Sequence, residues 1–138
     1  MKHTKEQLRG MSDAQVNKEL ELLLNPKAEF IGQHYVDTGD GIYSNVIKYP
    51  EGSYYREYPA YYRDVSDIMP LAFEHGISAI HLRDGYLAVK YENYLDVSAF
   101  DEIDGICADG EQFGDKNPLR AIACCLILVL QEKQIANN

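Results

Sequence analysis

The fold of this chain is decided by one apolar stretch, NPLRAIACCLILVLQEKQ at residues 117–134. Asn117 is a favourable N-cap, and Pro118 stands at the first helical position, where a missing N–H has no cost. Apolar side chains then cover nearly the whole circumference, which is typical of a helix buried in a protein core or in a membrane. The uninterrupted apolar run, residues 121–130, is far shorter than the roughly 20 residues that a bilayer crossing needs. We therefore predict a central core helix over residues 118–134, around which the other elements pack.

Capping signals predict the helices that precede this core helix. Ser12 with Gln15 fits a capping box, in which each side chain bonds the other residue's backbone N–H, and it opens an N-terminal helix over residues 12–25. A similar pair, Thr4 with Gln7, is followed so soon by a glycine that we expect a short turn. Ser66 is expected to cap a further helix that runs to residue 75, where Gly76 ends it.

Two hairpins are predicted between the helices. Residues 29–36 and 42–49 flank the turn segment DTGDG, and residues 77–82 and 86–92 flank an Asp-Gly pair, which is a strong hairpin signal. One further short strand is expected near residues 94–97 or 105–108. The order of elements predicts an α+β fold, with an antiparallel sheet of four to five strands packed with about three helices, the C-terminal one central.

Length and charge limit the classes of partner. The chain has 138 residues, which fits a single domain over 1–138, and its 13 basic against 22 acidic side chains give a formal charge of −9. Binding to nucleic acid needs lysine and arginine for the phosphates, so we predict no direct nucleic-acid binding. The same charge disfavours anionic membrane surfaces. We expect no membrane association.

The cysteines and histidines give no familiar catalytic or metal-binding spacing. Cys107, Cys124 and Cys125 are an odd number in a chain whose start is polar, so we interpret them as reduced, buried small hydrophobes of a cytosolic protein. No H-x-x-x-H, C-x-x-C or phosphate-binding glycine motif is present, and the acidic region fails the EF-hand ligand pattern. We therefore predict no cofactor, no metal and no enzymatic activity. Two alternatives remain: a small enzyme whose Tyr, His and carboxylate groups come from distant strands, and a purely structural homo-oligomer. A histidine within hydrogen-bond reach of a carboxylate in a pocket would favour the enzyme.

Two unusual stretches are candidates for a binding surface. Seven of the eleven tyrosines lie between residues 43 and 62, and residues 53–63 form a tyrosine-rich loop. The acidic connection, residues 93–116, contains no lysine or arginine before residue 116. Tyrosine rings give binding surfaces rigid contact area, and the acidic connection suits a partner with a basic surface. Rings packed against the sheet and a solvated acidic loop are the simpler alternatives. The candidate partner-binding residues are Tyr54, Tyr55, Tyr58, Tyr61, Tyr62, Asp101, Glu102 and Asp104.

Three blocks of the chain carry a family resemblance. They are MSDAQVN at residues 11–17, YRDVSDIMPLAFEHGI at 62–77 and NPLRAI at 117–122, and they resemble, in this order, the NinX-like family of small phage and prophage proteins. The chain departs from that family by having no tryptophan in the middle block and by its longer tyrosine-rich and acidic stretches. The resemblance implies an accessory protein that acts in the host cell cytoplasm during infection. No catalytic residue can be inferred from the resemblance, because the family is largely uncharacterised. We expect a protein that binds a host or phage protein, inhibition of a host defence complex being one form of that activity.

Overall fold

The fold is taken from a computed structural model, which describes residues 2–36, 42–52, 54–56, 61, 64–90, 95–97, 106–108 and 110–137. The helices are α1 (Lys5–Arg9), α2 (Asp13–Leu24), α3 (Val65–His75) and α4 (Pro118–Asn137). The strands are β1 (Glu29–Val36), β2 (Ile42–Lys48), β3 (Tyr54–Arg56), β4 (Ile77–Leu82), β5 (Gly85–Lys90), β6 (Leu95–Val97), β7 (Ile106–Ala108) and β8 (Gln112–Asp115).

The cap signals place most helix ends correctly. Both predicted capping boxes are present, and the box at Ser12 opens α2 one residue later. At Thr4 the box opens the five-residue helix α1, where only a short turn was expected, because burial of Leu8 in the core stabilises it. The side-chain Oδ1 of Asn117 accepts a hydrogen bond from the backbone N–H of Leu119 at 2.9 Å, which confirms the N-cap of α4.

The start of α3 differs from its prediction. Asp64, and not Ser66, is the N-cap: its Oδ1 accepts hydrogen bonds from the backbone N–H of Ser66 at 3.0 Å and from the Ser66 hydroxyl at 2.6 Å. The carboxylate competes successfully because a charged acceptor also complements the positive end of the helix dipole. The end of α3 is as predicted, with Gly76 in the left-handed conformation at φ 68°.

The strands do not form the predicted single sheet of four to five strands. The described strands form a first sheet in the order β1-β2-β3, a second sheet in the order β4-β5-β8 and a ribbon of β6 with β7, all antiparallel. Both predicted hairpins are correct, and both regions proposed for one short strand contribute a strand to the ribbon. The additional strands β3 and β8 have three and four residues, too few to display an alternating pattern in the sequence.

The helix α4 is central, as predicted. Every residue from Ala121 to Val129 is buried, and these side chains form one core with Val16 and Leu20 of α2 and Phe113 of β8. The fold is therefore α+β, with α2, α3 and the second sheet arranged around α4. Among the described helices, none has both the length and the apolar character required to cross a membrane.

A buried arginine joins the N-terminal helices to this core. The Arg120 guanidinium donates hydrogen bonds to Asp13 at 2.7 Å and to Asp115 at 3.2 Å, and to the backbone carbonyls of Leu8 at 3.0 Å and Met11 at 2.7 Å. The planar guanidinium has five N–H donors in fixed directions, and these four contacts use most of them. Arg120 therefore locks the junction of α1 and α2 onto the first turn of α4.

Candidate functional site

The first part of the tyrosine-rich loop is an edge strand. In β3, Tyr54 lies opposite Lys48 of β2, and Tyr55 lies opposite Ile47. Because β3 is at one end of the strand order, it has β2 as its only described strand neighbour. The Tyr54 side chain is 58% exposed, which is the environment predicted for a partner-binding residue.

Tyr61 anchors the far end of the same loop in the protein interior. Its backbone N–H donates to Oδ1 of Asn17 at 2.8 Å, and its hydroxyl donates to Oε2 of Glu21 at 2.5 Å. The ring is only 4% exposed, so its predicted place on an exposed binding face is corrected. Burial, reinforced by the hydrogen bond to Glu21 and the negative charge of that carboxylate, raises the pKa of Tyr61 far above its ordinary value.

The acceptor for Tyr61 is a buried carboxylate that also holds two other elements. Glu21 of α2 is 4% exposed and accepts hydrogen bonds from the hydroxyls of Tyr49 and Tyr61 and from the side-chain amide of Asn25, the latter at 2.8 Å. A carboxylate buried without such donors would be strongly destabilising. Glu21 thus joins the residue after β2, the end of the tyrosine-rich loop and the C-terminal cap of α2.

Sequence reasoning missed Glu21, since glutamate is rarely found fully buried. A signal was nevertheless available in the spacing along α2. Asn17 and Glu21 are four residues apart, and on a helical wheel they lie next to each other beside Leu24, at the edge of the apolar side that also carries Val16 and Leu20. Two polar residues on the core-facing side of a helix require buried hydrogen-bond partners, and this requirement can be recognised in the sequence.

A small open cleft lies beside this cluster, at the end of the first sheet. It has a volume of about 220 Å³ and is lined by Lys27, Glu29, Lys48, Tyr49 and Pro50. Strand pairing places Glu29, Lys48 and Tyr54 side by side across β1, β2 and β3. In the described part of the chain, the side chains of Lys27, Glu29 and Lys48 form no ion pair or hydrogen bond.

The described cysteines are buried thiols, as interpreted from the sequence. Cys124 and Cys125 are free and lie on α4 inside the core. Burial raises the pKa of each thiol from 9.0 to about 12, so neither forms the thiolate that a nucleophile or a metal ligand requires. The side chain of Cys107 lies outside the described residues. Across the described ranges there is no group of three or more His, Cys, Asp or Glu that could hold a metal ion.

Among the histidines whose side chains the structure describes, His3 lies within hydrogen-bond reach of a carboxylate. Nε2 of His3 is 3.0 Å from Oε2 of Glu19, and the backbone of His3 exchanges two hydrogen bonds with the side-chain amide of Gln131. These contacts fasten the N-terminal segment to α2 and α4. Neither His3 nor Glu19 lines the cleft described above.

The other two histidines whose side chains are described, His75 and His81, also have structural neighbours. Nδ1 of His75 is 3.1 Å from Nζ of Lys133, and the pKa of His75 is lowered by partial burial and then by the charge of that lysine. The His81 ring stacks on Tyr86 with ring centres 4.7 Å apart. Neither histidine contacts a described carboxylate that could orient it as a general base.

The remaining candidate residues lie outside what the structure describes. They are the side chain of Tyr55 and the whole of Tyr58, Tyr62, Asp101, Glu102 and Asp104. Their partner-binding role stays a prediction.

The chain matches no protein-family model, no curated protein and no solved structure.

Proposed function

We propose that this chain is a phage- or prophage-encoded accessory protein of the NinX-like kind, which acts in the host cytoplasm by binding another protein. The observation that supports this proposal is the exposed ring of Tyr54 on a strand whose following loop is fastened at Tyr61. The contact surface is the Tyr54 face, defined as β3 together with the neighbouring positions Lys48 and Glu29.

The chain is held in place on both sides of the Tyr54 face, which favours tight binding. Residues 54–56 are held by pairing with β2, and residue 61 is held by Asn17 and Glu21. A surface that is already ordered loses little conformational entropy on association, so more of its contact energy appears as affinity. An exposed tyrosine on such a surface is a typical binding hot spot.

The distribution of exposed apolar groups also favours the first sheet. Five large hydrophobic side chains are exposed in the described residues, and three of them, Phe30, Ile31 and Tyr54, belong to β1 and β3. Exposed apolar groups gathered on one sheet are typical of an interaction site. Tyr54 shares its face of the sheet with Lys48 and Glu29, whereas Phe30 pairs with Ile47 and lies on the opposite face. The other two, Val65 and Phe73, lie on α3 and provide controls.

Binding is favoured over catalysis by the state of the reactive groups. Cys124 and Cys125 are held as buried neutral thiols, and the His3–Glu19 pair serves as a clamp between α2 and the N-terminal segment. A binding protein needs neither a thiolate nor a general base, and the buried Glu21 cluster then has a structural role in positioning the loop.

The test is capture of a partner by the tagged protein from phage-infected cells, quantified by mass spectrometry. We expect Tyr54→Ala to reduce recovery of the principal captured protein by more than about 10-fold, because an interface tyrosine can contribute about 2 kcal/mol. Val65→Ala is the matched control, since Val65 is 59% exposed but lies on α3. Both variants should melt within a few degrees of the parent. Full recovery with Tyr54→Ala, or equal losses with both variants, would contradict the proposed face.

The acidic connection gives a separate kinetic test. Joint neutralisation of Asp101, Glu102 and Asp104 should slow association with the captured protein and flatten its salt dependence, since surface charge acts mainly on the rate of encounter. A change confined to the dissociation rate would show that these carboxylates do not steer the partner.

A further inference from the structure

The cleft at the end of the first sheet has a local charge opposite to that of the whole chain. Two lysines and one glutamate line it, a local balance of +1, in a chain with a net charge of −9. Among the described residues, neither Lys27 nor Lys48 forms an ion pair or a hydrogen bond through its side chain. Two unpaired ammonium groups at one depression attract a negatively charged group.

The size of the cleft indicates what kind of anion it accommodates. Pockets for free small molecules usually enclose about 300–1,000 Å³ and bury most of the ligand. This cleft has about 220 Å³ and is open to solvent, so it suits one side chain presented by a larger molecule. Each lysine contributes a compact point charge, and a single carboxylate can lie between two of them.

The position of the cleft connects it to the Tyr54 face. Lys48 lines the cleft and is also the strand partner of Tyr54, while Glu29 lies on the opposite side of Lys48. A partner that covers Tyr54 therefore also covers the cleft entrance. We propose that the cleft receives the carboxylate of an aspartate or glutamate side chain of the bound partner, between Lys27 and Lys48. This inference rests on the proposed function and adds the chemistry of the partner at this face.

The charges of the cleft predict effects of opposite sign. Replacing Lys48 or Lys27 by glutamine removes an attractive charge, so carboxylate binding should weaken by up to about 5-fold for each lysine, as for strong exposed ion pairs. Replacing Glu29 by glutamine removes a repulsive charge from the same cleft, so binding should strengthen by a similar factor. If the net charge of the protein alone governed binding of the carboxylate, removing these two lysines would have the same effect as removing two lysines elsewhere.

The experiment uses a defined probe and does not depend on finding the partner. The isotope-labelled protein is titrated with the blocked tripeptide Gly-Glu-Gly and, separately, with Gly-Gln-Gly, while backbone amide chemical shifts are followed by NMR. We expect saturable shifts at residues 27–29, 48 and 49 with the glutamate peptide only. The Lys27→Gln/Lys48→Gln variant should weaken this binding by about 10-fold or more, and Glu29→Gln should strengthen it.

The control variant is Lys5→Gln/Lys116→Gln, which removes the same total charge from exposed lysines that do not line the cleft. Equal weakening in the two double variants would overturn the inference, and so would absence of shifts at the cleft in the parent protein. Inorganic phosphate producing shifts of equal size at the same ionic strength would show a general anion site, which also overturns it. None of these outcomes affects capture through Tyr54, so the inference and the proposed function fail separately.

Discussion

Removal of the Tyr61 hydroxyl is the most direct test of how the tyrosine-rich loop is held. In Tyr61→Phe the ring keeps its volume and its place in the core, while Oε2 of Glu21 loses the donor that lies 2.5 Å away. Glu21 is 4% exposed, so water cannot readily replace that donor. The substitution therefore isolates one hydrogen bond to a buried carboxylate.

The expected loss of stability follows from the charge of the acceptor. A hydrogen bond to a charged group contributes about 1.5–3 kcal/mol, and leaving a buried charge undersatisfied places the cost toward the upper end of that range. Because the ring is retained, no cavity is added. We expect a loss of about 2–3 kcal/mol, a substantial part of the 5–15 kcal/mol that typically stabilises a domain. The melting temperature should fall by about 5–12 °C.

The assay is urea denaturation followed by circular dichroism, with Tyr54→Phe as the matched control. Tyr54 loses the same hydroxyl from an exposed ring with no described hydrogen bond, so its change should stay within about 0.5 kcal/mol. A loss of less than about 0.5 kcal/mol in Tyr61→Phe, with an unchanged urea dependence, would show that the Glu21 contact does not hold the loop.

Four further predictions concern the stability of the fold, and each has its own measurement. Leu126→Asp places an unpaired charge in the middle of α4 and should abolish cooperative thermal unfolding; a normal melt would mean that this face of the helix is exposed. Arg120→Ala leaves two carboxylates and two carbonyls without their shared donor and should lower the urea-derived stability by about 2–3 kcal/mol, whereas a loss below about 1 kcal/mol would show the network to be dispensable. Gly110→Ala would put a Cβ atom 2.1 Å from a backbone carbonyl oxygen of β5, so the melting temperature should fall by the equivalent of about 1–3 kcal/mol; an unchanged value would contradict that close approach. The raised pKa values of Cys124 and Cys125 stabilise the fold below pH 9, and this contribution should be lost as the pH rises toward 12. The loss should reach up to about 1.4 kcal/mol per pH unit for each thiol. Alanine at both positions should therefore flatten the alkaline part of a curve of unfolding free energy against pH, and an unchanged slope would be evidence against protected thiols.

Features that depend on neighbouring residues were predictable from the sequence. The N-cap at Asn117, the box at Ser12 and the left-handed end at Gly76 follow from short-range hydrogen bonding and backbone sterics, and each is present. The division into separate sheets was not predictable, because it depends on the partner that each strand finds. The partner of β5 on its second side is β8, a strand of four residues that begins 22 positions after β5 ends.

The candidate site also depends on contacts between residues that are distant in the sequence. Tyr54 and Tyr61 belong to one compositional cluster, and nothing in their immediate sequence separates an exposed ring from a buried one. The difference is made by Asn17 and Glu21, which lie 44 and 40 residues before Tyr61 and supply acceptors inside the fold. The cleft likewise combines residues from the segment after α2 and from both strands of a hairpin. Such a site can be located only in the folded structure, because its residues are not adjacent in the sequence.

The Arg120 network has a consequence for the order in which this protein can fold. It joins groups 107 to 112 positions apart, and the amide of Gln131 joins His3 across 128 positions. Contacts of such high sequence separation are expensive in loop-closure entropy and slow folding. In chain order α4 also follows all the elements that pack on it, so a growing chain makes α1, α2 and both sheets before their shared apolar support exists. We therefore expect slow folding, in which the N-terminal half acquires stable structure only together with α4.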